Sequence, residues 1–188
     1  MDHLKDLKII ITAAGSGIGA EMAKTLVNNG SNVLVCDKDE LALKRLKNDC
    51  AGVSTIQADV SNESDVSMFF EEAKSEFGNL DALINNAGVS GPSAKLEDID
   101  PKDWEKTIKT NLTGTFMCSK AAIPLLKKSG GGSIINIGSS SSFMGTPLRA
   151  AYTASKWGLI GLTNTWAMEY GKDKIRSNAI CPTSVSGE

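Results

Sequence analysis

The stretch Lys8-Ile9-Ile10-Ile11-Thr12-Ala13-Ala14-Gly15-Ser16-Gly17-Ile18-Gly19 sets the organisation of the whole chain. A short apolar run ends at Thr12, a glycine-rich turn follows, and a helical pattern over 20–29 closes at Gly30. In a strand–turn–helix unit, glycines let the backbone approach a pyrophosphate, and the first helical amides meet its charge. Gly15, Ser16, Gly17, Ile18 and Gly19 are therefore candidate cofactor contacts. Glycines before a helix also serve close strand–helix packing. The next element favours the first role: an apolar strand over 32–36 ends in Asp37, twenty residues beyond Gly17. A carboxylate there accepts hydrogen bonds from an adenine-side ribose and repels a 2′-phosphate, which favours NAD over NADP. Neighbouring Lys38 leaves a route to NADP.

Further along, apolar runs at 53–58, 80–85, 133–137 and 175–181 alternate with helical patterns at 40–50, 63–77, 101–128 and 151–170. Apolar, weakly alternating strands separated by helices imply an α/β fold, with a parallel sheet covered by helices on both faces. Ligands of such sheets lie at the carboxyl ends of the strands. Asp59 and Val60 occupy one such end, and Asn86, Ala87 and Gly88 another, so both groups join the candidate cofactor positions. Turn formation by Asp, Asn and Gly explains them equally well. Ser129-Gly130-Gly131-Gly132 is a turn into the next strand, so the chain is expected to form a single domain over 1–188.

The chemistry centres on Tyr152-Thr153-Ala154-Ser155-Lys156. Four residues apart on a helix, tyrosine and lysine share one face. A tyrosine acts as general acid or base near neutrality when a neighbouring cation draws its pKa down from about 10. Ser139, thirteen residues upstream where the chain leaves the strand over 133–137, can offer a hydroxyl to the same pocket. Asn111, an indifferent helix former inside a helical stretch, can hold a water with its amide if it faces that pocket. Tyr170 and Lys174 repeat the tyrosine–lysine spacing beside Gly171, where the helix should end, and read as solvated surface. Small residues at Ala154, Gly158 and Gly161 permit another helix to approach, from the same subunit or a second one.

Composition narrows the function classes. A net charge of −2 with interspersed signs offers no basic stripe for nucleic acid. No run approaches the roughly 18 apolar residues of a membrane span. Cys36, Cys50, Cys118 and Cys181 lack paired metal spacing and suit buried thiols in a reducing, cytoplasmic setting. His3 is the only histidine, which disfavours a histidine-based hydrolase or metal site.

Residues 12–19, Asn85-Asn86-Ala87-Gly88, Asn111, Ser139 and Tyr152 with Lys156 together resemble the short-chain dehydrogenase/reductase family across nearly the whole chain. The resemblance implies a Rossmann-type doubly wound sheet and a nicotinamide cofactor. It makes Tyr152 the acid/base, Ser139 the binder of the reacting oxygen and Lys156 the contact to the nicotinamide ribose. Asn111 would support a water-linked proton path. Gly17, Ile18, Asp37, Asp59, Val60 and Asn86 match cofactor positions. Pro182 and Val185 fit a segment that contacts the carboxamide, although Thr183 and Gly187 depart from its pattern. Helices 101–128 and 151–170 correspond to those that pair subunits into homodimers or homotetramers. Ala13 stands where a glycine is usual, and Gly15 is expected to restore the freedom of the turn. Gly138 and Ser142 also differ from the usual serine-loop pattern, and the spacing to Tyr152 selects Ser139 among the four serines. Family members continue past the position of Glu188 into a substrate cover, another helix and a seventh strand. The expected function is NAD-dependent interconversion of a small-molecule alcohol and a carbonyl. The alternatives are a noncatalytic dinucleotide-binding pairing module, or epimerisation or dehydration on the same fold.

Overall fold

The computed structural model describes residues 2–183. Six strands form one parallel sheet: β1 (Lys8–Thr12), β2 (Asn32–Asp37), β3 (Val53–Gln57), β4 (Ala82–Asn85), β5 (Gly132–Ile137) and β6 (Ile175–Ile180), in the order β3-β2-β1-β4-β5-β6. The order reverses between β1 and β4, which opens a crevice at their carboxyl ends. Alternate residues of β1 serve opposite faces. Ile9 and Ile11 pack beneath α1 (Gly17–Asn28) and α2 (Glu40–Asp49). Ile10 joins the other core, with α3 (Glu63–Phe77) and its Phe69 and Phe70. Ile10 and Ile11 have no exposed surface, and each such side chain contributes about 1.5–3 kcal/mol by burial.

Local chemistry sets the helix starts. The Asp39 side chain accepts from the amides of Leu41 and Ala42, and Asn62 from that of Ser64. Asp100 caps α4 (Pro101–Ile108), with Pro101 in the first turn, where its missing N–H costs nothing. The first helix begins three residues earlier than its apolar pattern, at Gly17, so the glycine turn runs directly into helical amides.

The stretch over 101–128 is not uniform. It comprises α4, a π turn at Lys109–Thr113 and α5 (Gly114–Lys128). Tertiary packing crowds this segment. A Cβ on Gly114 would lie 2.9 Å from the Val60 carbonyl oxygen, and one on Gly158 would lie 3.0 Å from Leu112. The helix that meets Gly158 therefore belongs to the same chain, whereas Gly161 has nothing within 4 Å. Gly158 and Gly161 lie on α6 (Ala150–Tyr170), which carries Tyr152 and Lys156.

Candidate active site

The β1–α1 turn is shaped differently from the sequence expectation. Gly15 does not take the left-handed conformation; Ala13 does, with φ of 51°, as does Gly17 with 56°. An alanine in that region costs about 1–2 kcal/mol. Gly15 and Gly19 are needed for space instead. A Cβ on Gly15 would sit 2.8 Å from the Ala42 Cβ, and one on Gly19 would sit 2.6 Å from Asn86 Nδ2. Gly17 faces open space with nothing within 4 Å, and exposed Ser16 makes no side-chain bond to the helix it precedes. The first amides of α1 are thus left uncapped beside a backbone cradle, which fits a pyrophosphate. Ile18 is part-exposed and lines the adjoining cleft.

Asp37 ends β2 with both oxygens engaged: Oδ2 accepts from the Gly15 amide at 2.9 Å and Oδ1 from the Asp39 amide at 3.0 Å. Carboxylate oxygens have further lone pairs for ribose hydroxyls. A small pocket of about 70 Å³ brings Asp37, Lys38, Asp59, Val60, Ala87, Gly88 and Val89 together. Burial opposes the Asp59 charge, but hydrogen bonding from Ser61 and the Lys38 and Lys109 cations together hold its carboxyl below the usual range.

The Asn86 segment is tied to the turn. Thr12 Oγ1 accepts from the amides of Asn86 and Ala87, both at 3.1 Å, while Asn86 Nδ2 donates to the carbonyls of Thr12 and Ala13. Asn86 therefore locks β4 to the β1 turn and also lines the cleft. Asn111 lies in the π turn with no exposed surface. Within the protein, its Oδ1 accepts from the Val89 amide at 2.7 Å, and Nδ2 donates to the Val89 carbonyl and to Ser155 Oγ. Its donors are already spent fixing the loop after β4 against α6.

A cleft of about 480 Å³ gathers Ser139, Tyr152 and Lys156 with Asn86, Gly88, Ile137, Arg149 and Pro182. It meets the Asp37 pocket at Gly88 and Val89, which line both. Ser142 is fully buried, its Oγ accepting from the Ser139 amide at 3.2 Å, whereas Ser139 and Ser141 border the cleft. Of those two, Ser141 shares a 2.7 Å hydrogen bond with Thr146. Lys156 donates to the Ile137 carbonyl at 2.7 Å and lies 5.6 Å from the centre of the Tyr152 ring. Only 4% of Lys156 is exposed, and desolvation draws its ammonium down to about 8, against a smaller upward pull from Cys181. Val185 lies outside the described residues. The second tyrosine–lysine pair is remote: Lys174 lines a separate groove of about 770 Å³ with Lys8's neighbour Leu7, Leu26 and Asp81. Tyr170 is half-buried against the core under the Lys127 ammonium, not solvated as its sequence suggested.

Two features of the site escaped the sequence. Asn85 donates to Ser119 and Asn136, and Asn136 donates to Thr163, forming a buried polar chain behind the cleft. The signal available was an asparagine closing one apolar run, Asn85, and another inside the run over 133–137, Asn136. Arg149, at the start of α6, also lines the cleft.

The family model described as "short chain dehydrogenase" matches residues 7–188. The chain belongs to that family. Among short-chain dehydrogenases with curated names, the trans-4-hydroxycyclohexanecarboxylate dehydrogenase of Sinomonas cyclohexanicum is 39% identical, over 98% of this chain and 74% of its own length. The D-beta-hydroxybutyrate dehydrogenase of Rhizobium meliloti is 35% identical, over 94% of this chain and 70% of its own. Among solved structures, the 3-ketoacyl-(acyl-carrier-protein) reductase from Brucella melitensis, complexed with NADH, superposes with a TM-score of 0.92 at 31% identity. It covers 96% of this chain and 76% of its own. The parallel Rossmann-type sheet is thus shared with short-chain dehydrogenases of known structure. Among the described residues, no helix is long and apolar enough to cross a membrane.

Proposed function

We propose that the protein is an NAD-dependent oxidoreductase that interconverts an alcohol and a carbonyl compound, with Tyr152 as acid/base. The observation that carries this reading is the meeting of Ser139, Tyr152 and Lys156 in one cleft that adjoins the Asp37 pocket. A nicotinamide dinucleotide, when bound, supplies the hydride donor or acceptor. Gly15, Ser16, Gly17, Ile18 and Gly19 would receive its phosphates, Asp37 one ribose, Asp59, Val60, Ala87 and Gly88 the adenosine side, and Lys156 and Pro182 the nicotinamide side. Asp37 supports NAD over NADP because its carboxylate would repel a 2′-phosphate.

In reduction, the Tyr152 hydroxyl gives its proton to the carbonyl oxygen; in oxidation it takes one from the alcohol. The Ser139 hydroxyl holds that oxygen throughout. Lys156 uses one of its three donors on Ile137, leaving the others for a ribose hydroxyl, and its charge favours the phenolate left when the proton departs. Asn111 acts as a positioning residue, because it clamps Val89 and Ser155 around the cleft.

We also infer that helices 101–128 and 151–170 pair subunits into a homodimer or homotetramer. Phe116, Trp157 and Met168 support this: they expose 46%, 50% and 86% of their surface on these helices. Four free cysteines are consistent with a cytoplasmic protein. The test is NADH formation from NAD across a panel of secondary alcohols, with carbonyl reduction in reverse. Dinucleotide binding without turnover of any alcohol or carbonyl would overturn the oxidoreductase reading.

A further inference from the structure

We infer that Arg149 makes this cleft a receptor for anionic substrates, so that the alcohol or carbonyl handled at Tyr152 is a hydroxy acid or oxo acid whose carboxylate pairs with the guanidinium. The inference rests on the oxidoreductase reading and names the class of compound that reaction takes.

The lining of the cleft is electrostatically one-sided. Among the described residues it holds two cations, Lys156 and Arg149, and no aspartate or glutamate. Lys156 sits at the reacting end, directed to Ile137. Arg149 is half-buried, and among the described residues it forms no salt bridge. Only Nη1 is engaged, donating to the carbonyls of Ser90 at 3.1 Å and Gly91 at 3.4 Å. Nε and Nη2 make no hydrogen bond to the described protein. A guanidinium keeps its charge at any working pH and presents its N–H groups as a planar fork matched to a carboxylate. Lodged in a concave lining without an acid, that fork is ready for an anion.

The plainer role is that of a strut holding the loop at Ser90 and Gly91. Such a strut needs only Nη1, and the backbone is bent more than it requires. Thr146-Pro147-Leu148-Arg149 forms a turn closed by the Arg149 amide on the Thr146 carbonyl at 3.2 Å. Leu148 occupies its third position at φ of 64°, a conformation usually left to glycine or asparagine. The Leu148 carbonyl in turn accepts from the Ala94 amide at 3.0 Å. A strained turn, tied to the opposite wall, thus delivers Arg149 to the cleft. Arg149 is the N-cap of α6, three residues before Tyr152, and both side chains line the same cleft.

The test compares lactate, β-hydroxybutyrate and γ-hydroxyvalerate, each against its primary amide, with NAD and the full chain. In the wild type, kcat/KM for at least one acid should exceed that of its amide by about 10- to 100-fold, as expected for a charge-assisted pair. In Arg149→Gln that ratio should fall toward one, mainly through KM, and Arg149→Lys should keep most of it. The ratio is read rather than the rate, because losing the Nη1 bonds also loosens the loop. A ratio near one in the wild type, or one unchanged in Arg149→Gln, overturns the inference. Calorimetric titration of butyrate into the protein–NADH complex needs no turnover. Binding that is lost in Arg149→Gln, with no alcohol oxidised, keeps the anion site and sinks the oxidoreductase reading. Turnover of neutral alcohols with no butyrate binding and no advantage for acids sinks the anion site alone.

Discussion

Replacing Lys156 by methionine should change how stability depends on pH, by an amount the structure fixes. An ordinary lysine titrates at 10.5, whereas desolvation draws Lys156 down to about 8 in the folded protein. At about 1.4 kcal/mol per pH unit, that gap corresponds to about 3 kcal/mol. Below about pH 8 the lysine is charged in both states, and the fold bears the whole cost of burying the charge. Between about 8 and 10.5 the folded protein has released the proton while the unfolded chain still holds it. The unfolded state then binds more protons, so stability rises with pH across that window. Above 10.5 the contribution is level.

Lys156→Met abolishes this ramp. It also leaves the Ile137 carbonyl without its donor, at a cost of about 1–3 kcal/mol that does not vary with pH. Urea unfolding at intervals from pH 7 to 10.5, followed by circular dichroism on apo protein, gives both curves. Titrations of groups remote from Lys156 are common to the two proteins and cancel in the difference, including buried Cys36, whose thiol is pushed up to about 12. Relative to the variant, the wild type should gain about 3 kcal/mol between pH 7 and 10.5. Parallel curves would refute the argument, since they would mean that burial does not hold the ammonium down.

Tyr152→Phe should lower kcat by about two to four orders of magnitude with little change in NADH affinity, as measured by stopped-flow turnover and fluorescence titration. Unaltered kcat would remove Tyr152 from the chemistry. Asp37→Ala should narrow the ratio of NADP to NAD dissociation constants by about 10-fold or more, because one charge facing a 2′-phosphate disappears; an unchanged ratio would locate discrimination elsewhere. Ala13→Gly should raise stability, since relief of the left-handed strain exceeds the entropy glycine adds to the unfolded chain. The net gain is about 0.5–1 kcal/mol, or roughly 1–4 °C in Tm for a chain of this size, and a calorimetric Tm at or below wild type would contradict it.

What the sequence made legible follows from local physics. Parallel strands buried on both faces must be apolar almost throughout, so all six strands appear as apolar runs, offset by no more than two residues at either end. The helical patterns over 40–50, 63–77 and 101–128 start where the helices do, because Asp39, Asn62 and Asp100 each satisfy amides that no earlier turn can. Asp37, Asp59 and Asn86 could be placed at the crevice because strand ends converge there wherever a sheet is parallel. Ser139, Tyr152 and Lys156 required the resemblance as well, since nothing local brings the end of β5 against the first turn of α6.

The parts that stayed hidden are those in which a residue's neighbours, not its own type, decide its conformation or partners. Ala13 and Leu148 both hold positive φ without being glycine; their own preferences argue against the turns they make, and only surrounding hydrogen bonds impose them. The π turn around Asn111 likewise has no local signature, and it lies where close packing leaves no room for a Cβ on Gly114 beside Val60 or on Gly158 beside Leu112. These three departures surround one site. Ala13 shapes the phosphate turn, Asn111 clamps the loop after β4, and Leu148 directs Arg149 into the cleft. Strain persists only where surrounding structure over-determines it. Asp6 and Lys174 hold positive φ outside this crevice, so strain by itself marks no site; at Ala13 and Leu148 it coincides with the placement of a chemical group, the β1–α1 turn in one case and Arg149 in the other.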